Sequence, residues 1–255
     1  MIPDYDPLAG IHLPAALEPV YLPQCDSVME EGARRARSGA PEGTLVWAGH
    51  QSAAHGRLGS EWLAPVDALH CALVLRPELP NARLGEFLPL NVVALGMALA
   101  SSVAPMTELR YRWPNAVVLG DGRVAGVWLS ASSDWLVLAT SVNVAETADA
   151  ENLRHTCVRF DGGNPEVTVA ALLEAYAHQL VIGLARWDDE GFAPVLRHFR
   201  SRAEHMHSDV SLCLPDGTRV TGRADAIDDN GSLVLDTDSG KRIVTINEYM
   251  GLPQA

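Results

Sequence analysis

Basic residues are scarce in this chain: 19 Lys and Arg stand against 32 Asp and Glu, for a formal charge of −13. No nucleic-acid-binding surface is expected, because phosphate contacts need clustered cationic side chains. Cysteine is scarcer still. Cys25, Cys71, Cys157 and Cys213 lie far apart and form no CxxC pair, which excludes a zinc framework. With 47% hydrophobic residues the chain has core enough to fold without disulfide staples. It also lacks an uninterrupted apolar run of membrane-spanning length, since the most apolar window, residues 88–103, contains Asn91 and two serines. The opening MIPDYDPLAG has no basic segment leading into an apolar one. No signal peptide is expected, and the protein is expected in the cytoplasm, away from membranes. There is no G-x-S-x-G elbow and no H-E-x-x-H helix, and Gly120-Asp121-Gly122 is not followed by the Lys of a phosphate loop. His205-Met206-His207 with His198 has only H-x-H spacing and is not read as a metal site.

What is present is a mixed pattern of strands and helices. Residues 1–24 are rich in proline and read as an extended lead-in. Ser27-Val28-Met29-Glu30 fits a capping box opening a helix that ends near Gly39. Strands are expected at residues 44–48, 70–75, 108–112 and 135–142. A buried helix is expected over 86–103, and a hairpin turning at Gly120-Asp121-Gly122 joins 117–119 to 124–129. Two helices follow, over 167–188 and 192–202. From Ala203 the texture changes to four short strands at 210–214, 219–227, 233–237 and 242–246, separated by turn residues, which is the pattern of a small barrel. The expected domains are 25–202 and 203–255.

Four segments, in order and at the right spacing, carry a family likeness. Asp26-Ser27-Val28 and the later Gly43-Thr44 are similar to a D-S-T-N helix start followed by a glycine-threonine strand entry. Gln51-Ser52-Ala53-Ala54-His55-Gly56-Arg57-Leu58-Gly59-Ser60-Glu61-Trp62 resembles a Q-x-A-G-R-G-R-x-G-R-x-W ligand loop. Arg112-Trp113-Pro114-Asn115-Ala116 and Arg123-Val124-Ala125-Gly126-Val127 are similar to K-W-P-N-D and K-x-A-G-I. Ser141-Val142-Asn143-Val144 resembles a G-x-N-V strand end. Together they resemble the biotin and lipoate protein ligases over about residues 20–250. The resemblance implies an α+β fold, a class II-synthetase-like mixed sheet flanked by helices, with an SH3-like barrel behind it. It implies an enzyme that joins ATP and biotin (or lipoate) into an acyl-adenylate and passes the acyl group to a lysine of a carrier domain. A magnesium ion travelling with ATP is also implied, with no protein ligands identified. A homodimer is one arrangement open to such a chain. A DNA-binding repressor module is not expected, because only about 24 residues precede the ligase-like part.

Carboxylate and phosphates bring negative charge to one place, so the site needs fixed cationic donors. Under the resemblance Arg112 and Arg123, standing for two lysines, are the catalytic candidates, and Arg57 holds the acid carboxylate or adenylate phosphate. A guanidinium fork is not geometrically equivalent to an ammonium. His55 and Ser60 replace loop arginines, and Ala116 and Ser130 stand where carboxylates are usual. Gln51 is assigned to the acid's head group, and Gly56 and Gly126 to substrate or nucleotide binding. Ser27 is either a ligand residue or only a helix cap. Asn115 and Asn143 either contact nucleotide or satisfy turn backbone, and Trp62 and Trp113 either line the ligand tail or belong to the core. Three functions compete on these residues: a biotin-type ligase, a lipoate or octanoate enzyme of the same fold, and a binding protein that has lost the chemistry.

Overall fold

The computed structural model describes residues 7–59, 67–145, 155–159 and 164–253. The first domain is built on a seven-stranded sheet made of β1 (Glu18–Leu22), β2 (Thr44–Ala48), β3 (Ala68–Leu75), β4 (Leu109–Arg112), β5 (Ala116–Leu119), β6 (Gly122–Ala131) and β7 (Leu136–Asn143). The strand order is β1-β2-β3-β7-β6-β5-β4. Only β1 and β2 run parallel; every other neighbour pair is antiparallel. β2, β3 and β7 are buried along their whole length, so they read as continuous apolar runs rather than alternating ones. The expected hairpin forms, with Leu119 opposite Gly122 and Gly120 at a φ of 58°. The proline-rich lead-in carries β1, which adds an edge strand to the sheet.

Helices cover both faces. α1 (Val28–Arg37) packs on β2, β3, β6 and β7, where small residues admit it: Ala33 and Ala36 meet Ala72, Val74, Val137 and Ala139. A Cβ added to Gly32 would fall 2.8 Å from a Val137 methyl, so the helix lies very close to the strands. The opposite face carries the larger core. There α2 (Phe87–Ala100) is pressed between the sheet, α3 (Val169–Glu190) and α4 (Ala193–Ser201). The stretch Asn81–Ala100 is long and apolar enough to cross a membrane by composition, yet 72% of its apolar window is buried within the fold. It is the core helix of this domain.

The second domain is a four-stranded antiparallel sheet of the SH3-like kind, formed by β8 (Asp209–Cys213), β9 (Arg219–Ile227), β10 (Leu233–Thr237) and β11 (Gly240–Val244) in the order β11-β10-β9-β8. The last expected strand stops short. Thr245 caps a short helix, α5 (Ile246–Met250), by accepting the Glu248 N–H at 3.0 Å, so Ile246 is helical rather than extended. α5 returns this domain to the first one. Asn247 donates to the Asn81 carbonyl at 2.9 Å, and a Cβ on Gly85 would meet Ile246 and Asn247.

Candidate active site

The α1 face of the sheet gathers Ser27, Gln51 and His55 of the polar residues singled out in the sequence. Ser27 sits at the N-terminus of α1 and is 4% exposed, but its side chain makes no capping bond, so the capping box with Glu30 does not form. The Val28 N–H is taken instead by Gln51, whose Oε1 accepts it at 2.8 Å. The loop after β2 is thereby fixed to the start of α1, and Ser27 is left to line a pocket. That pocket is walled by Ser27, Val28, Met29, Gln51, Ala54, His55, Trp128, Ala139 and Ser141. His55 stands at its rim, 3.9 Å from Glu30, and Gly56 follows it. Gly126 lies on the same face, covered by the indole of Trp128. Trp62 lies outside the described residues.

A second group centres on Tyr249 of α5. The Arg57 guanidinium lies 4.0 Å over the Tyr249 ring, a cation–π contact, and donates to its carbonyl at 3.3 Å. Trp113 also packs on Tyr249, at 4.9 Å between ring centroids, and donates from its indole N–H to the Gly231 carbonyl at 2.8 Å. Trp113 is thus a contact between the two domains. Arg123 is largely buried and is held down to about 10, first by that burial and then by repulsion from Arg112, with Tyr249 acting in the opposite direction. Arg112 pairs through Nε with Glu204, a carboxylate that is almost wholly buried. Arg57, Arg112 and Arg123 therefore gather around one tyrosine contributed by the second domain.

The two asparagines have structural work. Asn115 donates from Nδ2 to the Val127 carbonyl at 3.0 Å, and Asn143 to the Thr156 carbonyl at 3.1 Å. Each ties a strand end to neighbouring backbone. No three His, Cys, Asp or Glu side chains converge as a metal site among the described residues, and Ala116 and Ser130 offer no carboxylate. Among the described residues, none of the side chains at this site fits a protein-held magnesium ion.

Sequence reasoning missed four residues here. His70 on β3 is 1% exposed, and its Nδ1 lies 3.0 Å from the Ser141 hydroxyl beside the pocket. Glu204 and Tyr249 come from distant parts of the chain, with no local signal to mark them. Trp128 did carry a signal, because two residues of strand spacing place it on the face of Gly126.

Comparison with known proteins places the chain in a family. Residues 13–201 match the profile of the biotin/lipoate A/B protein ligase family, and residues 208–248 match the biotin protein ligase C-terminal domain. A biotin–[acetyl-CoA-carboxylase] ligase of Paracoccus denitrificans is 28% identical over 242 residues, covering 89% of this chain and 98% of that protein. One from Mycobacterium tuberculosis is 27% identical over 224 residues, covering 86% and 83%. Among solved structures, a biotin protein ligase-like protein of unknown function from Silicibacter sp. TM1040 superposes with a TM-score of 0.78 at 19% identity, covering 94% of this chain and 99% of that one. The Aquifex aeolicus biotin protein ligase in complex with biotin and ATP gives 0.76 at 22%, covering 93% and 99%. With nearly three-quarters of its length matched by a single family profile and most of the remainder by that of the following domain, the chain belongs to the biotin/lipoate A/B protein ligase family.

Proposed function

We propose that this protein is an ATP-dependent biotin–protein ligase. In the first half-reaction an acid carboxylate oxygen attacks the α-phosphorus of ATP. A new P–O bond forms as the bond to the bridging oxygen breaks, and pyrophosphate leaves. In the second, the amine of a carrier-domain lysine attacks the acyl carbon and AMP leaves, the amine giving up its proton. The observation that carries this reading is the gathering of Arg57, Arg112 and Arg123 around Tyr249. Arg112 and Arg123 repel each other and Arg57 stacks on the tyrosine beside them, so fixed cationic donors stand where a phosphate or carboxylate would bind. Arg57 and Arg123 are assigned to that anion. Arg112, which pairs with Glu204, is assigned to support Arg123 beside it. Ser27, Gln51 and His55 are assigned to the acid. Magnesium, where used, arrives with the nucleotide as part of the substrate. The domain division is placed near residue 203, and the role of the second domain in this scheme is to supply Tyr249.

The names of the relatives support biotin as the acid. ATP–pyrophosphate exchange with biotin, lipoate and octanoate supplied singly tests the proposal. Exchange is expected with biotin, and Arg57→Ala is expected to lower it by about 100-fold, the scale of losing one oriented donor to developing charge. A second reading, a binding protein without the chemistry, is favoured by the missing carboxylates at Ala116 and Ser130. It predicts thermal stabilisation by one acid with no exchange at all.

A further inference from the structure

The pocket beside Ser27 and Gln51 has little free space, and its largest lining side chain is an indole. Its free space is about 10 Å3, the room of a single water. Ligand pockets ordinarily run to about 300–1,000 Å3. Two of its walls cannot retreat cheaply. Ala139 and Ser141 are short side chains on β7, a strand buried along its whole length, and Gln51 is fixed to the first turn of α1. Trp128 is the bulkiest wall. It stands two residues after Gly126 on β6, so both share the α1 face. A Cβ built on Gly126 would fall 2.8 Å from Cη2 and 3.1 Å from Cζ2 of the indole. The six-membered ring is therefore laid against the one strand position that has no side chain of its own. The space that Gly126 leaves open is used by tryptophan rather than by a ligand.

We propose that Trp128 is the gate of the acid pocket and its specificity-determining residue. An acid enters only as the indole turns away from Gly126. A slender, unbranched acyl chain asks for less of that movement than a fused bicyclic one, so Trp128 disfavours biotin relative to octanoate. This inference rests on the reading that the pocket beside Gln51 receives the acid. It does not depend on catalysis, because the gate acts on binding.

The test is direct binding of biotin and of octanoate, measured by calorimetry on the whole chain and on Trp128→Leu. The variant is expected to gain about tenfold in biotin affinity, or about 1.4 kcal/mol, with octanoate changed less than about threefold. Equal or weaker biotin binding by the variant overturns the gate, since Trp128 is then a wall that the ligand needs. An equal gain for both acids overturns its selectivity, and failure of both proteins to bind either acid overturns it as well. If Trp128→Leu does not fold, Trp128→Phe serves, with a smaller gain in the same direction expected and no gain counting against the gate. ATP–pyrophosphate exchange on the same proteins separates the two readings. A binding gain without exchange in either protein supports the gate and sinks the ligase reading. Exchange with biotin alongside unchanged affinities supports the ligase and sinks the gate.

Discussion

His70 is a histidine buried as deeply as the apolar residues around it. Its Nδ1 meets the Ser141 hydroxyl, while its Nε2 has no hydrogen-bond partner among the described residues. Burial pulls it down to about 4, and nearby His50 adds to the effect. The folded protein thus holds His70 neutral, while the unfolded chain protonates it near its ordinary value of about 6.5. Between those two values the unfolded state binds more protons, so stability is full above about pH 6.5 and falls as the pH drops toward 4, by up to about 3 kcal/mol. Asp26, held at about 2 by its paired bonds to Arg34, acts in a separate window below its ordinary value near 4. Urea unfolding at steps from pH 7 to 4.5 should therefore show a steeper loss of stability for the native chain than for His70→Asn. Parallel slopes would rule His70 out as the cause. At this scale the motifs drew attention to Gln51, which the structure ties to the start of α1, and to Arg57, which it sets on Tyr249, whereas the capping box read at Ser27 does not form. The sequence was silent on His70, whose partner lies 71 positions away on a neighbouring strand.

Asn91, which interrupts the apolar window in the sequence, is the piece that joins three elements. Its Nδ2 donates to Thr140 Oγ1 on β7 at 3.0 Å, Tyr176 of α3 donates to Asn91 Oδ1 at 2.7 Å, and the Thr140 and Tyr176 hydroxyls meet at 2.8 Å. The three groups close a ring in which each side chain donates once and accepts once, all within the core. Removing one hydroxyl leaves buried partners unsatisfied, which costs about 1–3 kcal/mol. Tyr176→Phe and Thr140→Val should each lower the urea-derived stability by about that much, and the double variant by clearly less than the sum, because the second substitution removes a group already orphaned. Strict additivity would mean the ring is not acting as a unit. The same packing explains what could be read of the elements. α2 is apolar on all sides because sheet, α3 and α4 enclose it, so its length was legible but its facing was not. β1 was hidden because Pro19 lies inside it and its first residues are exposed, as an edge strand allows. α5 was hidden because five residues are too few for periodicity to register.

Across the whole molecule, the two domains meet through the residues that the proposed chemistry needs. Tyr249 packs against both Arg57 and Trp113, Glu204 takes Arg112, and Asn247 fastens α5 to the turn before α2. The ligand loop is thus held by a segment 192 positions further along the chain, a coupling that no motif spacing reports. A cation–π contact of this kind contributes about 0.5–2 kcal/mol. That energy has to be given up before the loop opens, so it sets how often the Arg57–Leu58 bond is presented to a protease. Trypsin cleaves after arginine, which makes Arg57 its own reporter. Tyr249→Ala should be cut at Arg57 about 2- to 30-fold faster than the native chain under native conditions, in line with the lost contact. Tyr249→Phe, which keeps the ring, should be cut at close to the native rate. Mass spectrometry of the early fragments separates this cut from global unfolding. Equal cutting of all three proteins would mean that the second domain does not hold the loop, and that the arginine cluster owes its shape to the first domain alone.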